Sequence, residues 1–229
     1  MVIGNGLIAK AFSEFEQDDR YLFFCSGVSN STCKDSAQFQ RERDLLNENI
    51  QKHRDKIFIY FSTCSIEDPA MSESLYTQHK LDIEANIESQ CDRFYIFRLS
   101  QVVGKTPNAF TVLNFLFNAV SSGLEFDLWE QSNRNLIDVE DAAAIVRKIL
   151  LLEFSPNRII NIANPRSYDV VDIVYAIEDY LDKTGNYHLV DKGGKYFISI
   201  SSIQPIINDL GVDFGADYLR RLLEKYYSK

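Results

Sequence analysis

Three apolar runs of strand length most constrain the fold of this chain: Tyr21–Ser26 (YLFFCS), Ile57–Phe61 (IFIYF) and Phe94–Leu99 (FYIFRL). None alternates apolar with polar residues, so each reads as a strand buried on both faces, the pattern of a parallel sheet covered by helices. The segments between them supply those helices. Phe39–His53 is charged and amphipathic, and Ser74–Cys91 reads as a helix that carries Tyr76 and Lys80. A strand stub at Met1–Ile3 leads through a glycine turn into a helix over Leu7–Phe15, and Ile159–Ala163 reads as a further short strand. Ala109–Ser121, Asp141–Leu152, Val170–Lys183 and Ala216–Tyr227 read as helices, the third begun by Ser167-Tyr168-Asp169 and stopped near Gly185. The expected fold class is α/β, with ligand at the carboxyl ends of the strands.

Bulk properties bound the function. At 229 residues the chain is long enough for one domain, or one domain with a smaller lobe. A net charge of −9 argues against non-specific binding to nucleic acid or anionic membranes. No apolar run approaches a membrane span, and Met1 leads straight into a strand rather than a signal peptide. Cys25, Cys33, Cys64 and Cys91 lack C-x-x-C spacing, which fits reduced thiols in the cytoplasm. His53, His79 and His188 lie far apart, and no metal site is expected.

Two short motifs carry chemistry. Gly4-Asn5-Gly6-Leu7-Ile8-Ala9 follows a strand and precedes a helix, the setting in which G-x-G-x-x-A serves a dinucleotide. Gly4 permits the tight turn, Gly6 lets a pyrophosphate approach the backbone, and Ala9 lets helix and strand pack closely. The plain alternative is a strand–turn–helix that needs glycines for its own sake. Tyr76 and Lys80 are spaced to share one helix face. An ammonium beside a phenol favours the phenolate, and a hydroxyl from Ser62-Thr63 completes a device that trades a proton with a carbonyl or alcohol oxygen. The alternative is an ordinary solvated helix face. His79 falls off the face of that pair and is expected to be exposed, as are Arg41 and Arg43 on their charged helix.

In this order along the chain, these motifs resemble the extended short-chain dehydrogenase/reductase family, in particular its nucleotide-sugar epimerases, dehydratases and 4-keto-reductases. Thr63 stands at the family's catalytic hydroxyl position, and Tyr76-x-x-x-Lys80-Leu81-x-x-Glu84 is similar to Y-x-x-x-K-L-x-x-E. Arg98-Leu-Ser-Gln-Val-Val-Gly104 resembles the strand beside the nicotinamide, and Arg134-Asn-Leu-Ile-Asp-Val-Glu-Asp141 resembles R-D-F-I-x-V-D-D. Asn161-Ile-Ala-Asn-Pro165 and Leu210-Gly211 match later family turns.

The resemblance implies a Rossmann-like cofactor-binding domain over residues 1–165, with 105–133 contributing to a small C-terminal substrate lobe over 166–229. Its sheet would have a reduced number of strands. The implied cofactor is NAD or NADP, held by Gly4, Asn5, Gly6, Leu7, Ile8, Ser26, Gly27, Val28, Ser62, Tyr76, Lys80, Leu99 and Val102. Thr63, Tyr76 and Lys80 would be catalytic, with Tyr76 the acid/base. Ser65, Gln101, Asn108 and Arg134 would touch a nucleotide-sugar substrate, although Arg134 reads equally as a surface arginine and Asn108 as a helix cap. Asp141 is expected to cap the helix it begins. The implied setting is polysaccharide biosynthesis by a homodimer.

The departures matter as much. The glycine turn is one residue shorter than the family's, and Tyr21–Ser26 resembles the family's fourth strand rather than its second. A strand–helix–strand segment of the adenine-binding half is therefore missing, with the Asp or Arg that would meet the adenosine ribose. Cys64 and Ser65 stand where dehydratases place acids. This leaves keto-sugar reduction first, with epimerisation, or a non-catalytic cofactor-sensing or assembly role on the same scaffold, as alternatives.

Overall fold

In a computed structural model, which describes residues 1–152 and 154–228, the apolar runs lie side by side in one sheet. Strands β1 (Val2–Ile3), β2 (Tyr21–Phe24), β3 (Ile57–Thr63) and β4 (Phe94–Leu99) are joined through α1 (Leu7–Ala11), α2 (Ser36–Lys52) and α3 (Leu75–Gln90). There follow β5 (Gln101–Val103), α4 (Val112–Ser122), β6 (Glu125–Trp129), β7 (Asn133–Arg134), β8 (Leu136–Asp138) and α5 (Val139–Leu151). The chain continues through β9 (Arg158–Ile162), β10 (Tyr168–Asp169), α6 (Val170–Leu181), β11 (Asn186–Val190), α7 (Gln204–Leu210) and α8 (Tyr218–Tyr227). The main sheet runs β1-β2-β3-β4-β9, and every pairing in it is parallel.

Strand alternation sorts the apolar runs onto two faces. Phe23, Ile59, Phe61, Tyr95 and Phe97 pack with residues of α5 and α7 and with Phe12 beyond α1. Leu22, Phe24, Phe58, Tyr60 and Ile96 pack instead on α2 and α3 through Leu46, Ile50, Ile83 and Ile87. The Rossmann-like parallel α/β sheet read from the sequence is thus what forms. Its strand number is reduced on the expected side: β1 is an edge strand and pairs with β2 alone. The chain steps the same way from β1 to β2 as from β2 to β3, yet α1 crosses on the opposite face from α2. The first crossover therefore has the opposite hand to the second, which is the geometry left when an intervening strand–helix–strand segment is absent.

A second core joins α4, α6 and α8 with β6, through Leu113, Leu116, Val120, Phe126, Ile173, Ile177, Leu219 and Leu223. It gathers side chains from within 105–133 and from beyond 166; Lys229, the last residue of the expected lobe, lies outside the described residues. Among the described residues no helix is long and apolar enough to cross a membrane.

Several boundaries differ from expectation for local reasons. The helix begun at Leu7 ends at Ala11 and resumes as one 3-10 turn over Ser13–Phe15. Asp141 does not cap α5. Asp138 does, its Oδ1 accepting from the Glu140 N–H at 2.8 Å, while Asp141 accepts from the Tyr218 hydroxyl at 2.7 Å. Helix α6 stops at Asp182, which takes a left-handed conformation with φ 48°, and Gly185 instead donates its N–H to Glu178 at 2.7 Å. The pairs β5–β8, β6–β11 and β7–β10 carry no strong sequence signal, being short and largely polar or mixed.

Candidate active site

Because the sheet is parallel, the segments after β1, β2, β3 and β4 emerge together, and they line one cavity of about 700 Å³. Gly4 to Ile8 line it after β1, and Ser26, Gly27 and Val28 after β2. Ser62, Thr63 and Ser65 reach it from β3, Tyr76 and Lys80 from the first turns of α3, and Leu99, Gln101 and Val102 from β4 and β5. Asn108 and Arg134 complete the set, so every candidate named from the sequence faces the same space.

The two glycines of the turn are there for different reasons. Gly4 has φ 126°, and a Cβ on it would lie 2.8 Å from the Cys25 carbonyl oxygen, so the fold itself requires glycine. Gly6 has ordinary φ −77°, and a Cβ there would meet nothing within 4 Å. Its bareness keeps open the cavity wall rather than the backbone. Helix α1 is only five residues long, so the N–H groups of the turn, more than a helix dipole, are what this end offers an anion.

Helix α3 is started by Ser74, whose Oγ accepts from the Thr77 N–H at 3.1 Å. Tyr76 and Lys80 then point inward and are 6% and 2% exposed, which removes the solvated-face alternative. The Tyr76 hydroxyl lies beside the Thr63 side chain. Thr63 Oγ1 in turn donates to Ser65 Oγ and accepts from the Ser65 N–H, both at 3.0 Å. The expectation that Lys80 lowers the Tyr76 pKa does not hold in this geometry. Burial pushes the phenol up to about 12, with the Thr63 side chain opposing and the Glu42 charge adding to the rise. Lys80 is engaged elsewhere, donating to Glu42 Oε1 at 3.0 Å and to the Tyr60 hydroxyl at 2.9 Å. Tyr76 is thus a protonated acid, and the ammonium belongs to an ion pair.

His79 also corrects the sequence reading. It is 3% exposed, stacked on Phe39 with ring centroids 4.5 Å apart, and Nε2 lies 3.0 Å from Glu42 Oε2. Arg41 is exposed as expected, but it lines the cavity and donates to the Ser26 carbonyl at 2.9 Å. The motif partners Glu84 and Arg98 meet in a salt bridge of 2.6 Å that ties α3 to β4. Asn135 and Asn164 exchange hydrogen bonds of 2.8 and 3.0 Å and fix the turns on either side of β8 and β9.

Among the described residues, four buried polar side-chain atoms lack a partner: Ser62 Oγ, Ser100 Oγ, Gln101 Oε1 and His79 Nδ1. The first three belong to residues lining the cavity. Since buried polar groups are nearly always paired, such a cluster marks a surface shaped for a polar ligand. Beyond β4, Arg134 has no carboxylate within salt-bridge distance among the described residues and donates to the Asn133 carbonyl at 2.7 Å. Tyr196 completes the lining, held by Asn133 through its backbone N–H and carbonyl at 3.2 and 3.0 Å. Asp68, Thr106, Phe110 and Phe115 line it as well, and sequence reasoning missed these together with Arg41 and Tyr196. Tyr196 lies in a segment without regular structure, where no periodicity could have marked it. Glu42 was missed too, though it occupies the stripe of Phe39, Leu46 and Ile50 and could have been noticed as a charge on an apolar face.

No protein-family model matches the sequence, and no curated protein is similar to it at a significant level. The structure is similar to solved ones. A UDP-glucuronic acid 4-epimerase from Bacillus cereus, solved with UDP-glucuronic acid and NAD, superimposes with TM-score 0.69 at 16% identity, over 92% of this chain and 78% of that one. A UDP-N-acetylglucosamine 4-epimerase from Methanobrevibacter ruminantium, solved with UDP-N-acetylmuramic acid, gives 0.68 at 19% identity, over 98% and 82%. A dTDP-glucose 4,6-dehydratase from Bacillus anthracis, solved with NAD, gives 0.67 at 14% identity, over 98% and 78%. At such identities the likeness is one of fold: this chain has the fold of the nucleotide-sugar epimerases and dehydratases.

Proposed function

We propose that this protein is an NAD(P)-dependent oxidoreductase acting on a nucleotide-activated sugar, and that it reduces a keto-sugar through Thr63, Tyr76 and Lys80. The observation that carries the reading is the cavity of about 700 Å³, which brings together the glycine turn, the Thr63–Tyr76–Lys80 group, Asn108 and Arg134. The turn fits a dinucleotide, since the space that a Cβ on Gly6 would fill is empty. Gly4 to Ile8, Ser26 to Val28, Ser62, Leu99 and Val102 would hold the cofactor. When bound, a nicotinamide would supply the hydride.

The residues of the chain supply the rest. Tyr76, kept protonated by burial, hands its proton to the carbonyl oxygen as negative charge grows there. Thr63, beside Tyr76 in the same cavity, orients that oxygen, and Ser65 and Gln101 border the sugar. Arg134, whose Nη1 is bonded to the Asn133 carbonyl, would offer its remaining N–H groups to a diphosphate. The solved relatives of similar fold, with their NAD and UDP-sugar ligands, support the same assignment of ligand classes.

Epimerisation is the second reading, favoured by the activities of those relatives. One feature favours reduction instead. The edge position of β1 leaves no second strand to clasp the adenosine ribose, which suits a cofactor that exchanges rather than one that stays bound. The reading also carries a homodimer through α2 and α3 and a cytoplasmic setting, the first testable by light scattering. Thermal denaturation with NAD, NADH, NADP and NADPH in turn tests the cofactor. A ligand at a hundred times its Kd adds about 2.7 kcal/mol. A shift with one reduced cofactor, followed by its consumption with a keto-sugar, is expected. NAD retained through purification would select epimerisation. No shift and no bound cofactor would leave the non-catalytic assembly role.

A further inference from the structure

Helix α2 is charged along most of its length, yet Glu42 in its second turn is completely buried. Both of its oxygens are saturated. Oε1 accepts from Lys80 Nζ at 3.0 Å and from the Tyr60 hydroxyl at 2.7 Å. Oε2 accepts from the Val28 N–H at 2.6 Å and lies 3.0 Å from His79 Nε2. A carboxylate has no proton to give, so His79 donates through Nε2, and its buried Nδ1 has no partner among the described residues.

Lys80 depends on this arrangement. An ammonium as deeply buried as this one is pulled toward its neutral form by desolvation, by up to 3–5 pKa units in an apolar site. The carboxylate of Glu42 is the first of the charges that oppose the loss, and Glu84 the second, while Arg41 acts the other way. The groups facing the pair are Tyr60 from β3, Tyr76, His79 and Glu84 from α3, and Arg41 from α2; Glu84 is in turn matched by Arg98 of β4. Glu42 is therefore the only carboxylate in direct contact with Nζ among the described residues. The loop after β2 is pressed onto the pair, since a Cβ on Gly27 would lie 2.8 Å from Nζ and 2.9 Å from Oε1. Of the three ammonium hydrogens, Glu42 and Tyr60 take two, and one remains for the cavity that Lys80 lines.

We propose that Glu42 is a positioning residue of this site: the fixed counter-charge that keeps Lys80 an ammonium and turns its remaining N–H toward hydroxyl groups of a ligand in the cavity. A neutral amine there would present a lone pair and could not donate with a full charge. The ligand's being a dinucleotide ribose rests on the function proposed above; the hold of Glu42 on Lys80 does not.

The test separates the two. In the full chain labelled with ¹³Cε-lysine, NMR follows the Lys80 signal, assigned by its loss in Lys80→Met. In the wild type it should stay in the charged position up to pH 9. In Glu42→Gln its midpoint should fall by about 2 pH units or more, and Glu42→Asp should restore part of the difference. A Glu42→Gln midpoint equal to the wild type, or a wild-type Lys80 that is already neutral at pH 8, overturns the proposal, and the second result needs no variant to fold. In parallel, NADH affinity is measured from pH 6.5 to 9. It should weaken at least tenfold more across that range in Glu42→Gln than in the wild type, and lose this dependence in Lys80→Met. A wild type that binds none of the four cofactors removes the function proposed above, while the NMR titration still decides the role of Glu42.

Discussion

Replacing Glu42 by glutamine should also leave a defined mark on acid stability. Burial alone would raise the Glu42 carboxyl, but the Lys80 charge and the hydrogen bonds from His79, Tyr60 and the Val28 N–H outweigh it and hold the carboxyl at about 2, against 4.5 for the free side chain. At about 1.4 kcal/mol per pKa unit, this gap corresponds to roughly 3 kcal/mol of folding stability. The folded pKa is the lower one, so that stability is fully present above the unfolded value and is lost as pH falls through the folded one. The loss works out to about 0.2 kcal/mol at pH 5, about 0.8 at pH 4 and about 2 at pH 3. Glutamine cannot ionise, so the variant lacks this component while sharing every other carboxylate. Urea unfolding at pH 6, 5, 4 and 3 gives the difference in stability between the two proteins. It should start near 3 kcal/mol and narrow by about 2 kcal/mol by pH 3. Parallel acid limbs, with a constant difference, would refute the claim that Glu42 is ionised and strongly held in the folded state.

Other expectations follow from the same site. Tyr76→Phe removes a hydroxyl that faces the cavity, so it should lower turnover by a factor of about 10² or more while shifting Tm by no more than a few degrees; wild-type turnover would sink the mechanism. Gly6→Ala and Gly27→Ala should separate binding from stability. The first places its methyl in open cavity and should weaken cofactor binding with stability within about 0.5 kcal/mol of wild type. The second meets Lys80 Nζ and Glu42 Oε1 and should cost about 1–3 kcal/mol by chemical denaturation. Arg134→Ala should raise the Kd for a nucleoside diphosphate about tenfold or more by calorimetry, since a hydrogen bond to a charged group is worth about 1.5–3 kcal/mol.

The chain's local order was legible in its sequence because the relevant signals are local. Strands without polar alternation, such as Ile57–Phe61, announce burial on both faces whatever lies around them, and the sheet is parallel as expected. The spacing of Tyr76 and Lys80 put them on one helix face, and Gly4, Gly6 and Thr63 needed only the direction of a parallel sheet to converge on one cavity. Caps were less secure, because Asp138 and Asp141 are both able to start α5 and only the position of Tyr218, 77 residues away from Asp141, engages the latter. What tertiary structure alone decided is the electrical state of the site. Spacing within α3 places Lys80 near Tyr76, but charge and proton affinity depend on every group within a few ångströms, including those from distant segments. Glu42, 38 residues before Lys80 and on another helix, takes the ammonium for itself, and burial then holds Tyr76 protonated. Periodicity names which residues face inward; it carries no information about which of them end up neighbours, and pKa values are set by neighbours.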